Sequence, residues 1–144
     1  MVGILLVAHG DFAQGMLSAV RLIAGEPEKT IALGLYHGDS PEDFEKKISA
    51  AIRKLDDGGG MIAFVDFLGG TPASSLLRVM QDKPFPCFSG VNMPMLAEAV
   101  LARVDANLSS GQIAEICSAA GREGQVRLDT LLKGQPENTG TGTT

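Results

Sequence analysis

Residues Gly3-Ile4-Leu5-Leu6-Val7-Ala8 form an unbroken apolar run that stops abruptly at His9-Gly10-Asp11. Such a run, closed by a turn signal, reads as a strand buried on both faces, the kind found in parallel sheets. Strands of that kind need helices on either side of the sheet, and they leave their carboxyl ends free at one rim. His9 therefore sits at the rim where open α/β sheets bind ligands and carry out chemistry.

The rest of the chain supplies the alternation this strand demands. Phe12, Met16, Val20, Ile23 and Ala24 recur at helical spacing, with Asp11 as a candidate N-cap and Gly25 as the stop. Ile31–Leu35 reads as a short second strand. Ser40-Pro41-Glu42-Asp43 is a strong helix start, with a capping serine, proline at the first position and acids in the first turn. Phe44, Ile48, Ala51, Ile52 and Leu55 complete its apolar stripe, and Asp57-Gly58-Gly59-Gly60 ends it.

Met61–Val65 is a third, fully apolar strand that ends at Asp66. After the loop Phe67-Leu68-Gly69-Gly70, Thr71-Pro72 repeats the cap-and-proline signal for a helix lined by Leu76, Leu77 and Met80. Phe85–Ser89 reads as a weaker strand, since Pro86 cannot donate to a ladder. Two more helices are expected, one with Leu96, Ala99 and Val100, the other from about Ser110 with Ile113, Ile116, Cys117 and Ala120 inward. Gly121-Arg122-Glu123-Gly124 reads as a turn, and Gln125–Leu128 as a half-exposed strand. Residues 1–132 are read as one domain, and the polar Gly/Thr stretch 133–144 as a disordered tail or the start of a linker.

This order predicts a doubly wound, mainly parallel α/β sheet of flavodoxin-like order 2-1-3-4, with right-handed crossovers and helices on both faces. In that order strands one and three are neighbours, about 4.8 Å apart, so His9 and Asp66 at their ends can meet. At 144 residues the chain is long enough for one real core, which aliphatic side chains must fill because tryptophan is absent. A formal charge of −5 argues against general nucleic-acid binding and is compatible with a basic protein partner. No run is long enough to span a bilayer and no signal peptide is visible. Cys87 and Cys117 lie outside any metal-ligand spacing, so two buried thiols in a reducing cytoplasm are expected.

A histidine backed by a carboxylate is a prepared nucleophile or base. The carboxylate fixes the tautomer, frees the second ring nitrogen and stabilises charge that develops on the ring. Beside the pair, Gly69-Gly70-Thr71-Pro72 opens a helix, and backbone N–H groups at such a place attract phosphate. Each feature alone is more often structural; their convergence points to phosphoryl transfer through His9. Neither an ATP-binding P-loop nor a serine-nucleophile elbow is present. His37 is read as a surface loop residue. The residues require no metal and no cofactor.

Four segments carry a family resemblance: Val7-Ala8-His9-Gly10, Val65–Pro72, Gly90-Val91-Asn92-Met93-Pro94-Met95-Leu96 and Gly121-Arg122-Glu123-Gly124. In this order, over roughly residues 1–128, the chain resembles the IIA domains of the mannose-type sugar phosphotransferase system. The resemblance implies that the phosphocarrier HPr phosphorylates His9 and that His9 passes the group to a histidine of a IIB protein or domain. IIB then phosphorylates the sugar as the IIC and IID membrane components import it, and sugar specificity lies largely with those membrane components. It also implies that Asp66 hydrogen-bonds the active histidine and that Leu68, Gly69, Gly70 and Thr71 lie beside the phosphoryl group. A cytoplasmic homodimer is implied, with Gln125–Leu128 as an antiparallel edge strand exchanged between subunits. Phosphocarriers of dihydroxyacetone kinase share the fold, but Phe67–Pro72 departs from their pattern. Two other readings stand beside this one: an anion- or phosphometabolite-binding sensor without covalent chemistry, and a hydrolase using His9.

Overall fold

A computed structural model describes residues 1–132; the stretch 133–144, expected as a tail, lies outside the described residues. The elements are β1 (Gly3–His9), α1 (Phe12–Ala24), β2 (Thr30–Leu35), α2 (Pro41–Leu55), β3 (Met61–Val65), α3 (Thr71–Val79), β4 (Cys87–Phe88), α4 (Met93–Ala102) and α5 (Ser110–Glu123). A 3₁₀ turn follows at Leu128–Leu131. The four strands form one parallel sheet in the order β2-β1-β3-β4, as expected from the sequence.

Period-2 alternation divides β1 between two cores. Ile4, Leu6 and Ala8 face α1, α4 and α5, together with Ile62 and Phe64 of β3. Leu5 and Val7 face α2 and α3, together with Met61, Ala63 and Val65. Both faces of the central strands are thereby removed from water, which is why they read as continuous apolar runs. Each fully buried side chain such as Ile4, Leu6 or Phe64 contributes about 1.5–3 kcal/mol relative to exposure.

Several local expectations are corrected. The buried stripe of α1 is Ala13, Met16, Leu17 and Val20, while Ile23 is 64% exposed and Phe12 half-exposed. In α3 Leu77 is exposed and Ala73 and Ser75 are buried; in α5 Ile116 lies at the margin and Ala114 and Gly121 go inward. Gly121-Arg122-Glu123 is not a turn but the last part of α5. Gly121 is needed there for close packing: a Cβ would stand 2.9 Å from Met95 Cε and 3.1 Å from its Cβ. Asn92, the N-cap of α4, also donates to Gly121 O at 2.9 Å and joins the two helices.

Gln125–Leu128 is not a strand within the single chain. Residues 125–127 have no regular structure, and Leu128 begins the 3₁₀ turn. A strand exists only where a sheet edge can take its hydrogen bonds, and sequence alternation alone cannot supply one.

Candidate active site

The register of β1 on β3, with Val7 opposite Val65, brings the carboxyl ends of both strands to the same height. His9 ends β1, and Asp66 follows β3 directly. Their side chains meet: His9 Nδ1 lies 2.7 Å from Asp66 Oδ2. The same oxygen accepts the His9 backbone N–H at 3.0 Å, and Oδ1 accepts the Phe67 N–H at 3.0 Å. Burial pushes the Asp66 carboxyl up, but the bonds from the His9 backbone, the His9 ring and Phe67 outweigh it and hold the group below its usual value. Asp66 is therefore an anion at neutral pH and can only accept, so the ring proton sits on Nδ1. In the neutral imidazole Nε2 then keeps its lone pair. Asp66 is 12% exposed and His9 42%, which leaves the carboxylate shielded and the ring accessible.

The glycine loop closes on this free nitrogen. Gly70 has φ +94°, and a Cβ there would stand 2.9 Å from Nε2. Gly70 is also the N-cap of α3, and no side chain caps that helix. Thr71 is thus the first helical residue rather than the cap, because only glycine tolerates the cap conformation found here. First-turn N–H groups of a helix have no intrahelical partner, so the bare end of α3 offers donors and a positive dipole end. Leu68 is 76% exposed and presents its side chain to solvent. Gly69 completes the loop, where a Cβ would meet the Phe67 ring at 3.0 Å.

Phe67 is a site residue that the sequence alone did not single out. Its ring packs against the imidazole, centroids 5.2 Å apart and planes tilted by 35°. Its position immediately after the strand-end aspartate was the available signal. His37 is exposed, as expected. Asp11 departs from expectation: it stands at the start of α1 but its side chain caps nothing there, and Oδ1 accepts the Tyr36 hydroxyl at 2.5 Å.

Both thiols are free, and burial pushes Cys117 up to about 11. Among the described residues, no group of three or more His, Cys, Asp or Glu is placed to hold a metal ion, and no helix is long and apolar enough to cross a membrane.

The fold and site together define a flavodoxin-like α/β protein with a carboxylate-oriented histidine between its two central strands. The chain belongs to the EIIA-man family of sugar phosphotransferase system IIA components; the family profile, described as the PTS system fructose IIA component, matches residues 3–116. The mannose-specific EIIAB component of Escherichia coli strain K12 is 32% identical over 124 residues, covering 85% of this chain and 38% of that protein. The chain thus spans well under half the length of that relative. The fructose-specific EIIA component of Bacillus subtilis is 26% identical, with 72% of this chain and 71% of that protein covered. Among solved structures, the phosphotransferase system component EIIA from Streptococcus agalactiae superposes with a TM-score of 0.76 at 30% identity, covering 90% of this chain and 99% of that one. The mannose/sorbose specific IIA subunit from Enterococcus faecalis, at 20% identity and a TM-score of 0.75, shares the fold over 88% of this chain and 93% of its own.

Proposed function

We propose that His9 is a phosphoryl carrier: Nε2 accepts a phosphoryl group from phospho-HPr and hands it to a histidine of a IIB protein or domain. The observation that carries this reading is the free Nε2, held by Asp66 through the opposite nitrogen and facing Gly70 and the uncapped end of α3. In the transfer, the donor's N–P bond breaks as the Nε2–P bond forms. No proton leaves, because Nδ1 keeps its hydrogen. The ring becomes cationic, and the Asp66 carboxylate stabilises that charge as it develops. The N–H groups at the start of α3 and the Gly69–Gly70 backbone receive the phosphoryl oxygens. The step needs positioning and charge stabilisation, as phosphoryl transfers do. The second transfer runs the same events in reverse.

Residues 1–132 constitute this phosphotransferase domain, working in the cytoplasm and supplying IIB, which phosphorylates a sugar as the membrane IIC and IID components import it. The working form is a homodimer in which Gln125–Leu128 pairs with the partner's sheet edge. Support comes from Val126 and Leu128, which are exposed apolar residues in the single chain, and from the short edge strand β4. Light scattering of the purified protein tests the dimer.

The test of the carrier role is incubation with phosphoenolpyruvate, enzyme I and HPr, followed by intact mass under mildly alkaline conditions. The expected result is a gain of one phosphoryl group, lost on acidification and absent in folded His9→Ala. Failure of the wild type to gain mass, with HPr itself phosphorylated, overturns the assignment.

A further inference from the structure

The turn that follows His9 is held from the side of β2 by a set of contacts that the transfer chemistry does not use directly. Gly10 has φ +54° and donates its N–H to Leu35 O at 2.8 Å. A Cβ on Gly34 would stand 2.2 Å from Gly10 O, and 3.1 and 3.2 Å from the Tyr36 ring. Glycine at 34 therefore lets the turn sit down on β2 and lets the Tyr36 ring lie across the strand. From there the phenol reaches Asp11 Oδ1 at 2.5 Å, while the Tyr36 backbone N–H is bound by Asp39 Oδ2 at 2.8 Å. The turn after His9 is thus tied on one side by Asp66 of the β3 end and on the other by Tyr36 of the β2 end.

The consequence for Asp11 is chemical. Its residue type and position suit it to cap α1, and a capping carboxylate would occupy the first-turn N–H groups of that helix. Instead its carboxylate is turned to Tyr36, and α1 has no side-chain cap. The helices α2, α4 and α5 are all capped by side chains, from Ser40, Asn92 and Ser109. Among the described α-helices, the two bare starts are those of α1 and α3, which begin beside His9. Asp11 follows His9 by two positions, which places their Cα atoms within about 7.6 Å. A free carboxylate at that range opposes an incoming phosphoryl dianion.

We propose that Tyr36 is a positioning residue for phosphoryl transfer at His9: its hydroxyl draws the Asp11 carboxylate onto β2, keeping the start of α1 bare and negative charge away from the phosphoryl group. This rests on the carrier role of His9 proposed above. The hydrogen bond to Asp11, with smaller contributions from burial and from the charges of Asp11 and Asp39, raises the Tyr36 pKa, so the phenol remains a donor at neutral pH.

The experiment is rapid-quench transfer from phospho-HPr at increasing donor concentration for wild type, Tyr36→Phe, Asp11→Asn and the double variant. Circular dichroism and thermal unfolding accompany each protein. Tyr36→Phe is expected to lower the limiting transfer rate about tenfold, the effect of one uncompensated charge near the site, with little change in half-saturation. Asp11→Asn alone transfers at the wild-type rate or faster, and in the double variant it restores most of the loss. Wild-type transfer by Tyr36→Phe, or a loss that Asp11→Asn does not rescue, overturns the positioning role and leaves the carrier role standing. So does a slower Asp11→Asn single variant, which is informative even where Tyr36→Phe folds poorly. A wild-type protein that takes up no phosphoryl group overturns both readings.

Discussion

Asp66→Asn tests the geometry at its centre. Asp66 uses both oxygens: Oδ2 accepts the His9 backbone N–H and the ring Nδ1–H, and Oδ1 accepts the Phe67 N–H. Asparagine keeps the shape but offers one acceptor oxygen and one NH₂ donor. If the amide oxygen faces His9, the tautomer survives but the Phe67 N–H meets a donor. If the NH₂ faces His9, Nδ1 must accept, the ring proton moves to Nε2, and the nucleophilic lone pair is lost. Either way the negative charge that stabilises the cationic ring is gone. A charge-assisted bond of this kind is worth about 1.5–3 kcal/mol, a rate factor of roughly 10 to 150. The tautomer change adds to that, and exchanging carboxylate for amide behind a catalytic histidine can cost about 10⁴. The expected loss in transfer rate is therefore about 10²-fold or more. The assay is single-turnover transfer from phospho-HPr, quenched in alkali and read by intact mass. Transfer within about threefold of wild type, by a variant with native circular dichroism, would refute the reasoning, because the lost charge alone requires a larger effect.

Asp66 also predicts an acid limb in stability. Its folded pKa lies below the usual 3.8, so the unfolded chain binds more protons in acid. The resulting stabilisation is present above the unfolded value and is lost as pH falls through the folded one. Urea unfolding from pH 7 down to pH 3 should lose more stability in wild type than in Asp66→Asn. Gly70→Ala should abolish phosphoryl uptake, since its Cβ would stand 2.9 Å from Nε2. The positive φ should cost about 1–3 kcal/mol as well, and intact mass and thermal unfolding report the two effects separately. At the opposite end of the sheet, Arg103 is buried, and its guanidinium donates to Val2 O, Lys29 O, Glu28 O and the Thr30 hydroxyl. Arg103→Leu strands those carbonyls and should destabilise the fold by about 3 kcal/mol, lowering the urea midpoint with phosphoryl uptake unchanged in the folded fraction.

Much of the architecture was legible because buried parallel strands advertise themselves. Ile4–Ala8 and Met61–Val65 have no polar face, so both faces must be covered, and the intervening helical stripes supply the cover. His9 and Asp66 could be paired from the sequence because each ends such a strand, and the strand order makes the two neighbours. Errors fell where helical period alone leaves a choice of face. Phe12 and Ile23 have the right spacing in α1, yet the stripe that meets the sheet is Ala13, Met16, Leu17 and Val20. The segment Gly121–Gly124 looked like a turn because glycine is a poor helix former. The structure keeps Gly121 in α5 because Met95 needs the space of the missing Cβ.

The strand runs, the helix start at Ser40-Pro41 and the residue types that meet at the rim were readable before any fold was known, because they follow from local chemistry and hydrophobic periodicity. Tertiary structure alone decided the partners of individual polar groups. Asp11 had the residue type of a helix cap and became the acceptor of Tyr36; Thr71 had the same type and yielded the cap to Gly70; Phe67 became a wall of the histidine. The reason is physical. A polar side chain goes to the best donor within reach, and which donors lie within reach depends on how neighbouring strands register, a property no single segment contains.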